Sequence, residues 1–318
     1  MSGMFETPSF RLLQTKNMSQ ALFANTRIGM GTMSMCITAD RPSQSESIKM
    51  IEELIEHDGL TFIDTANVYC LNDTELGYGE EIVKPFVHRS GVTVATKGGM
   101  TRTGTAWGRR GDPAFLRSEC EASLERLGTE SIDLYQLHDA DQNVPYADSI
   151  GELVRLRDEG KIKHIGVSNA DLKQLTLAKE MADVCSVQNP FSILFYDSEN
   201  HAEFDQVLRY CESNDIAFIA YAPLGGHHNP YVLPTVSEEM SRLAESLAMT
   251  IYQLALLTLC AFSPSIIPIP GSKSKDHIME NLAIAKLQLS PETLNRMAAI
   301  LEIPESSFVR PSIIPSQT

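Results

Sequence analysis

The chain has little of what would hold it to a nucleic acid or a membrane. Lysine and arginine number 26 against 41 acidic residues, a net charge of −15 that argues against general binding to nucleic acid or anionic lipid. No apolar run reaches the ~18 residues of a spanning helix. The longest, around Ile251 to Phe262, is broken by Gln253 and Thr258. Met1 to Phe10 lack a basic stretch followed by an apolar one, so no signal peptide and a cytoplasmic location are expected. The six cysteines, Cys36, Cys70, Cys120, Cys185, Cys211 and Cys260, form no C-x-x-C pair and no zinc-spaced cluster, so reduced thiols and no metal site are expected. No G-x-G-x-x-G follows a strand, which argues against a Rossmann cofactor site. No repeat of fixed period is visible.

What is present is an ordinary globular composition, 43% hydrophobic and 21% charged, in a chain long enough for one large domain. Residues 1–26 are polar and weakly patterned, with room for a hairpin, and residues 303–318 form a Pro- and Ser-rich tail. Between them short apolar runs alternate with segments of helical period. Strands are expected at 28–35, 61–66, 92–97, 132–138, 164–168, 186–189, 217–222 and 265–269. Helices are expected at 45–57, 78–88, 113–127, 146–159, 171–181, 201–213, 275–287 and 291–301, with one or two more in 237–262. The strands are continuous apolar runs, as in parallel sheets covered by helices. Eight β/α pairs without a linker predict a single-domain (β/α)8 TIM barrel over 1–318, with an extra helix and the tail. The long connections, 98–112, 224–236 and the tail, belong at its mouth.

In such a barrel, polar residues at the C-terminal ends of the strands converge. Asp64 closes the second strand, Lys97 the third and His138 the fourth, and Tyr69 lies on the loop after the second. Ser168 with Asn169, Gln188 and Tyr221 close the fifth, sixth and seventh. Taken singly, Asp64 reads as readily as a helix cap, His138 as a core histidine, and Ser168 and Asn169 as caps. Together they make a coherent site. Lys97 beside Tyr69 is expected to make the phenol a stronger acid, with Asp64 holding Lys97 and His138 meeting a carbonyl oxygen. Such a device protonates a carbonyl while hydride arrives from a cofactor.

The runs Phe62-Ile-Asp64-Thr-Ala-Asn-Val-Tyr69, Ala95-Thr-Lys97-Gly-Gly, Asp133-Leu-Tyr-Gln-Leu-His138, Ile165-Gly-Val-Ser168-Asn169, Val187-Gln188-Asn189 and Ile267-Pro-Ile-Pro-Gly271 stand in one order over nearly the whole chain. In these the sequence resembles the aldo-keto reductases. The resemblance implies a tetrad of Asp64, Tyr69, Lys97 and His138, with Tyr69 as proton donor to an aldehyde or ketone. It also implies an extended NADPH across the barrel mouth. Ser168, Asn169 and Gln188 would bind its carboxamide, with Tyr221 stacked on the nicotinamide. Gly31, Thr32 and Met33 would lie beside it, Ala222, Pro223, Leu224 and Gly225 at the pyrophosphate, and Gly271, Ser272, Lys273, His277, Glu280 and Asn281 at the adenosine end. Lys273 would meet the 2′-phosphate, although many relatives place arginine nearby; for Lys273 and Lys275 a solvated loop is the alternative.

The partner is then a small carbonyl compound. Met33, Met35, Cys70, Trp107, His138 and the His227-His228 pair are candidates for the substrate pocket, and Arg109 or Arg110 for an anionic group on the substrate. For the Trp107 loop a plain exposed basic loop is the alternative, and for Cys70 plain packing. The Trp107-Gly-Arg109 loop followed by Leu116-Arg117 and Ala122-Ser-Leu124 resembles a bacterial-type branch that includes pyridoxal reductases, which makes a small aromatic aldehyde the first substrate to consider, and a keto-sugar another. Two other readings are a cofactor-binding regulatory subunit, resembling the potassium-channel β subunits, and a different barrel enzyme. The second leaves Asp64, Tyr69 and Lys97 unexplained. Oligomeric state is not legible.

Overall fold

Eight parallel strands, two to seven residues long, close into a barrel in the order β1 (Met30–Gly31), β2 (Phe62–Asp64), β3 (Thr93–Gly98), β6 (Ile132–Leu137), β7 (Ile162–Ser168), β8 (Val184–Pro190), β9 (Ala217–Tyr221) and β10 (Ile266–Pro268). The computed structural model describes residues 22–194, 201–226, 238–304 and 307–308. The expected N-terminal hairpin, the His227-His228 pair, most of the 224–236 connection and most of the tail lie outside the described residues. Backbone bonds from Gly29 N–H to the Pro268 carbonyl (3.0 Å) and from Gly31 N–H to that of Pro270 (3.4 Å) join the first strand to the last.

The helices between strands start and stop where the local chemistry dictates. Ser43 and Glu46 form a capping box that starts α1 (Gln44–His57). Pro85 ends α2 (Tyr78–Val83), shorter than expected, and the chain continues as a 3-10 turn over Lys84–Phe86. Asp112 caps and Gly128, at φ 66°, closes α3 (Pro113–Leu127). α4 (Tyr146–Asp158), α5 (Leu172–Met181) and α6 (His201–Asn214) follow in turn. The 237–262 region is two helices, α7 (Glu238–Ser246) and α8 (Ile251–Phe262), parted where Ala248 turns to φ 53° and Thr250 caps anew. α9 (Lys275–Leu282) tightens into a 3-10 turn, Ala283–Lys286, so the expected helix to residue 287 is two pieces. α10 (Pro291–Ile300) ends the described helices. The expected first strand is also shorter: after Gly31 the chain coils into a 3-10 turn at Met33–Met35. Inside the 98–112 connection lies an antiparallel hairpin, β4 (Met100–Thr103) with β5 (Ala106–Arg109), turned by Gly104 at φ 57°.

The apolar interior has two compartments. The larger lies between barrel and helices. The smaller fills the barrel with Phe62, Ala95, Leu134, Ile219 and Ile267, and Phe23 packs edge-on to Phe62 at 5.2 Å, closing the N-terminal end. Successive inward residues on a strand are two apart. Phe62, Ala95 and Leu134 are therefore followed, one layer up, by Asp64, Lys97 and Gln136. The barrel is greasy below and polar above, and the polar layer faces the mouth.

Candidate active site

The polar layer centres on Lys97, a lysine with no exposed surface. Its Nζ donates to Asp64 Oδ2 at 2.5 Å, to the Thr65 carbonyl at 2.8 Å and to the phenol oxygen of Tyr69 at 3.1 Å. A buried ammonium has three protons to place, and all three have acceptors here. Asp64 is no helix cap. It is 1% exposed, and its other oxygen accepts from Gln136 Nε2 at 3.0 Å and Gln188 Nε2 at 2.7 Å. The Tyr69 ring meets the His138 ring edge-on, with centroids 5.8 Å apart. The four side chains expected to converge from three strands and a loop do so.

The electrostatics correct one expectation. Burial pushes the Tyr69 phenol well above its ordinary value, and the Asp64 carboxylate pushes the same way. Burial also lowers Lys97, against the pull of Asp64. Burial is the larger of the two effects, because it disfavours the charged phenolate. Tyr69 is thus a well-held phenol rather than an acidified one. His138 lies well below the usual histidine range because it is buried and because Lys97 and Arg109 are cationic, so its ring is neutral at neutral pH. Among the described residues its buried Nδ1 has no partner.

Around the tetrad, Ser168 donates to the Gln188 carbonyl at 2.9 Å. Asn169, in left-handed backbone at φ 54°, donates to the His138 carbonyl at 3.0 Å and accepts from Tyr221 OH at 2.8 Å. These residues form one linked rim. Thr32 is buried, and its hydroxyl is spent on the Asp64 carbonyl (3.1 Å) and on Thr65 (2.9 Å), tying the β1 loop to the tetrad. Gly271 packs so tightly on the other side of that loop that a Cβ there would stand 2.7 Å from the Gly31 carbonyl oxygen. This places the 271–281 segment beside Gly31, Thr32 and the half-buried Met33. Gly225 adopts φ 95° and returns its N–H to the Ala222 carbonyl at 3.0 Å, so Ala222, Pro223, Leu224 and Gly225 form a tight turn after β9.

Several residues are engaged differently from expectation. Lys273 pairs with Asp40 at 2.5 Å and Lys275 with Glu53 at 2.5 Å, so neither lysine is a bare charge on a solvated loop. Ser272 lies 3.5 Å from His277 Nδ1, and Asn281 is buried. The Glu280 carboxylate accepts from Thr250, at the start of α8, at 2.5 Å. Met35 and Cys70 have no exposed surface and belong to the core rather than to an open pocket wall; Cys70 donates to the Val68 carbonyl at 3.3 Å. Arg109 is held by Asp139 at 2.6 Å and Arg110 by Asp112 at 2.7 Å. Trp107, 42% exposed on β5, stands edge-on to Tyr69 at 6.5 Å, so it is at the mouth. Arg102 fixes it there, with its guanidinium 4.2 Å above the indole and donating to the Cys70 and Leu71 carbonyls at 3.2 and 2.8 Å.

Sequence reasoning passed over Gln136 and Arg102. A glutamine inside an apolar strand was a visible signal for the first, because a buried amide needs partners. The second had none, since its role depends on how the hairpin folds back.

The aldo/keto reductase family model matches residues 27–302. An uncharacterised oxidoreductase of Schizosaccharomyces pombe is 35% identical over 281 residues, covering 85% of each chain. A Glycine max protein called probable aldo-keto reductase 1 is 29% identical over 301 residues, covering 86% of this chain and 85% of its own. Among solved structures, an aldo/keto reductase from Klebsiella pneumoniae in complex with NADP and acetate superposes with a TM-score of 0.71 at 25% identity, covering 87% of this chain and 92% of its own. With the tetrad in place and nearly the whole barrel matched, this chain belongs to the aldo/keto reductase family.

Proposed function

We propose that the protein is an NADPH-dependent reductase of aldehydes or ketones, with Tyr69 as the proton donor. The observation that carries this reading is the contact from Lys97 Nζ to the Tyr69 oxygen. Lys97 is the donor there, so the phenol oxygen accepts and its own O–H is left to be given to a carbonyl oxygen. As that proton leaves, the phenolate that forms faces an ammonium already in place, a preorganised stabilisation. Neutral His138 stands beside the phenol to hold the carbonyl oxygen. The hydride is the chemistry that NADPH supplies when bound.

The mouth suits that cofactor by the chemistry of its donors and acceptors. The amides of Asn169 and Gln188 match a carboxamide, and the aromatic Tyr221 beside them matches a nicotinamide ring. The tight turn at Ala222–Gly225 leaves backbone amides for a pyrophosphate, and Ser272 with Lys273 supplies a donor and a cation for a 2′-phosphate. The Klebsiella relative, crystallised with NADP, supports the same assignment. Trp107 walls the mouth with an aromatic face, which favours a small aromatic aldehyde such as pyridoxal; a keto-sugar is the contrasting substrate. The test is oxidation of NADPH against a panel holding pyridoxal, simple aromatic aldehydes and keto-sugars. Turnover of aromatic aldehydes is expected. No oxidation with any carbonyl, despite NADPH binding, would overturn the reading.

A further inference from the structure

The amide of Gln136 lies in the upper barrel layer, and the reaction above leaves it without a task. It is completely buried near the C-terminal end of β6, where the preceding inward residue, Leu134, is apolar. Its place is made for it. A Cβ on Gly166 of the adjacent strand would stand 2.5 Å from Ser186 Oγ and 2.9 Å from Gln136 Cγ, so glycine there leaves room for both side chains. At its end, Nε2 donates to Asp64 Oδ1 at 3.0 Å, while Oε1 accepts from Gln188 Nε2 at 3.3 Å. Gln188 Nε2 also donates to Asp64 Oδ1, at 2.7 Å.

This triangle has only one self-consistent assignment. An ionised carboxylate accepts and cannot donate, so both glutamines must turn nitrogen toward Asp64. With Nε2 of Gln188 held by Asp64 and by Gln136 Oε1, its own Oε1 points the other way. Among the described residues no protein donor is recorded for that oxygen. We infer that Gln136 is a positioning residue. Asp64 turns the Gln188 amide nitrogen-first, and Gln136 holds that amide in the plane that presents its oxygen, an acceptor, to the ligand. The inference rests on the cofactor reading above, and the group selected is the N–H of a carboxamide. Without Gln136, Gln188 keeps its bond to Asp64 and the polarity of its amide, but loses the second contact that fixes the plane in which its Oε1 is held.

The test is binding rather than turnover. NADP+ carries a carboxamide, whereas 3-acetylpyridine adenine dinucleotide phosphate replaces its NH2 by a methyl and offers only an acceptor. Dissociation constants of both are measured by quenching of Trp107, the single tryptophan, and by calorimetry. The wild-type protein should prefer NADP+ by about tenfold, the worth of one satisfied hydrogen bond. Gln136→Met, of similar length, should cut that ratio to about threefold or less, with thermal unfolding confirming that it folds. Should the methionine variant not fold, Gln136→Asn keeps the polarity but ends one methylene short, and the same loss of preference is expected. A folded variant of either kind with the wild-type ratio overturns the inference, as does a wild-type protein that binds both compounds equally. A wild-type protein that binds neither removes the cofactor reading itself, a separate result.

Discussion

The ammonium of Lys97 and the phenol oxygen of Tyr69 are 3.1 Å apart with the lysine as donor. That direction fixes what each group can do. Lys97 cannot take the phenol's proton while it remains an ammonium, and Tyr69 keeps its O–H for a third party. Tyr69→Phe removes the proton but leaves the ring, its edge contact with His138 and the Asp64–Lys97 pair in place. The substitution should lower kcat by about 10²- to 10⁴-fold, the range of a general acid, and change the dissociation constant of NADPH by less than about threefold. Stopped-flow or steady-state NADPH oxidation together with fluorescence titration reads both. Near wild-type turnover in this variant would sink the proton-donor role.

Lys97 sets the alkaline limit. Burial depresses it below 10.5, against the opposing pull of Asp64. The charged lysine is the form that stabilises a phenolate, so activity is full below the depressed value and is lost as pH rises through it. The basic limb of the kcat profile should therefore have its midpoint below 10.5, the ordinary lysine value. Lys97→Arg, whose guanidinium stays protonated throughout, should retain low activity without that limb. A limb of unchanged position in the arginine variant would assign it to another group.

The tetrad was legible in the sequence because of where its members stand. Asp64, Lys97 and His138 each follow an apolar run, and a barrel turns strand ends into one place. The acidity of Tyr69 was not legible, since its direction depends on burial and on the nearby Asp64 carboxylate, and neither is a property of spacing. The β4–β5 hairpin was hidden in a polar connection with five glycines, of which only the folded chain shows Gly104 to be the turn. Glu280 reads as a free carboxylate in sequence, and only the packing of α8 against α9 gives it to Thr250. The partner of Lys273 is 233 positions away, beyond any local pattern.

That partner makes a prediction in two directions. Lys273, 37% exposed, and Asp40, 75% exposed, lie 2.5 Å apart, and Lys273 holds the Asp40 carboxyl below its ordinary value. A 2′-phosphate engaging Lys273 meets a cation already shared with a carboxylate. Lys273→Ala should weaken NADPH by about tenfold and NADH by less than about twofold. Asp40→Asn removes the competing charge and should tighten NADPH by about threefold, with NADH unmoved; exposed pairs are weak, so the gain is small. Equal effects on the two cofactors in both variants would remove Lys273 from the phosphate site. The experiment should be run at low salt, where surface charges are least screened.

His138 couples the site to stability. Its pKa in the fold lies well below 6.5, whereas the unfolded chain returns it to the ordinary range. Above the unfolded value both states carry a neutral ring, and the histidine has no effect on the pH dependence. As pH falls below 6.5 the unfolded chain takes up a proton that the fold refuses, so stability is lost on the acid side, until the folded value is reached. The loss is at most about 1.4 kcal/mol per pH unit for one proton. His164 is depressed too, chiefly by burial, and is present in both proteins to be compared. His138→Gln keeps a buried polar side chain without a titrating ring. Its unfolding free energy in urea, followed from pH ~7 down to ~5, should fall less steeply than that of the wild type by up to that amount. Parallel slopes would mean that His138 takes up its proton as readily in the fold as in the open chain, and the neutral ring assigned to the carbonyl oxygen would then be an imidazolium.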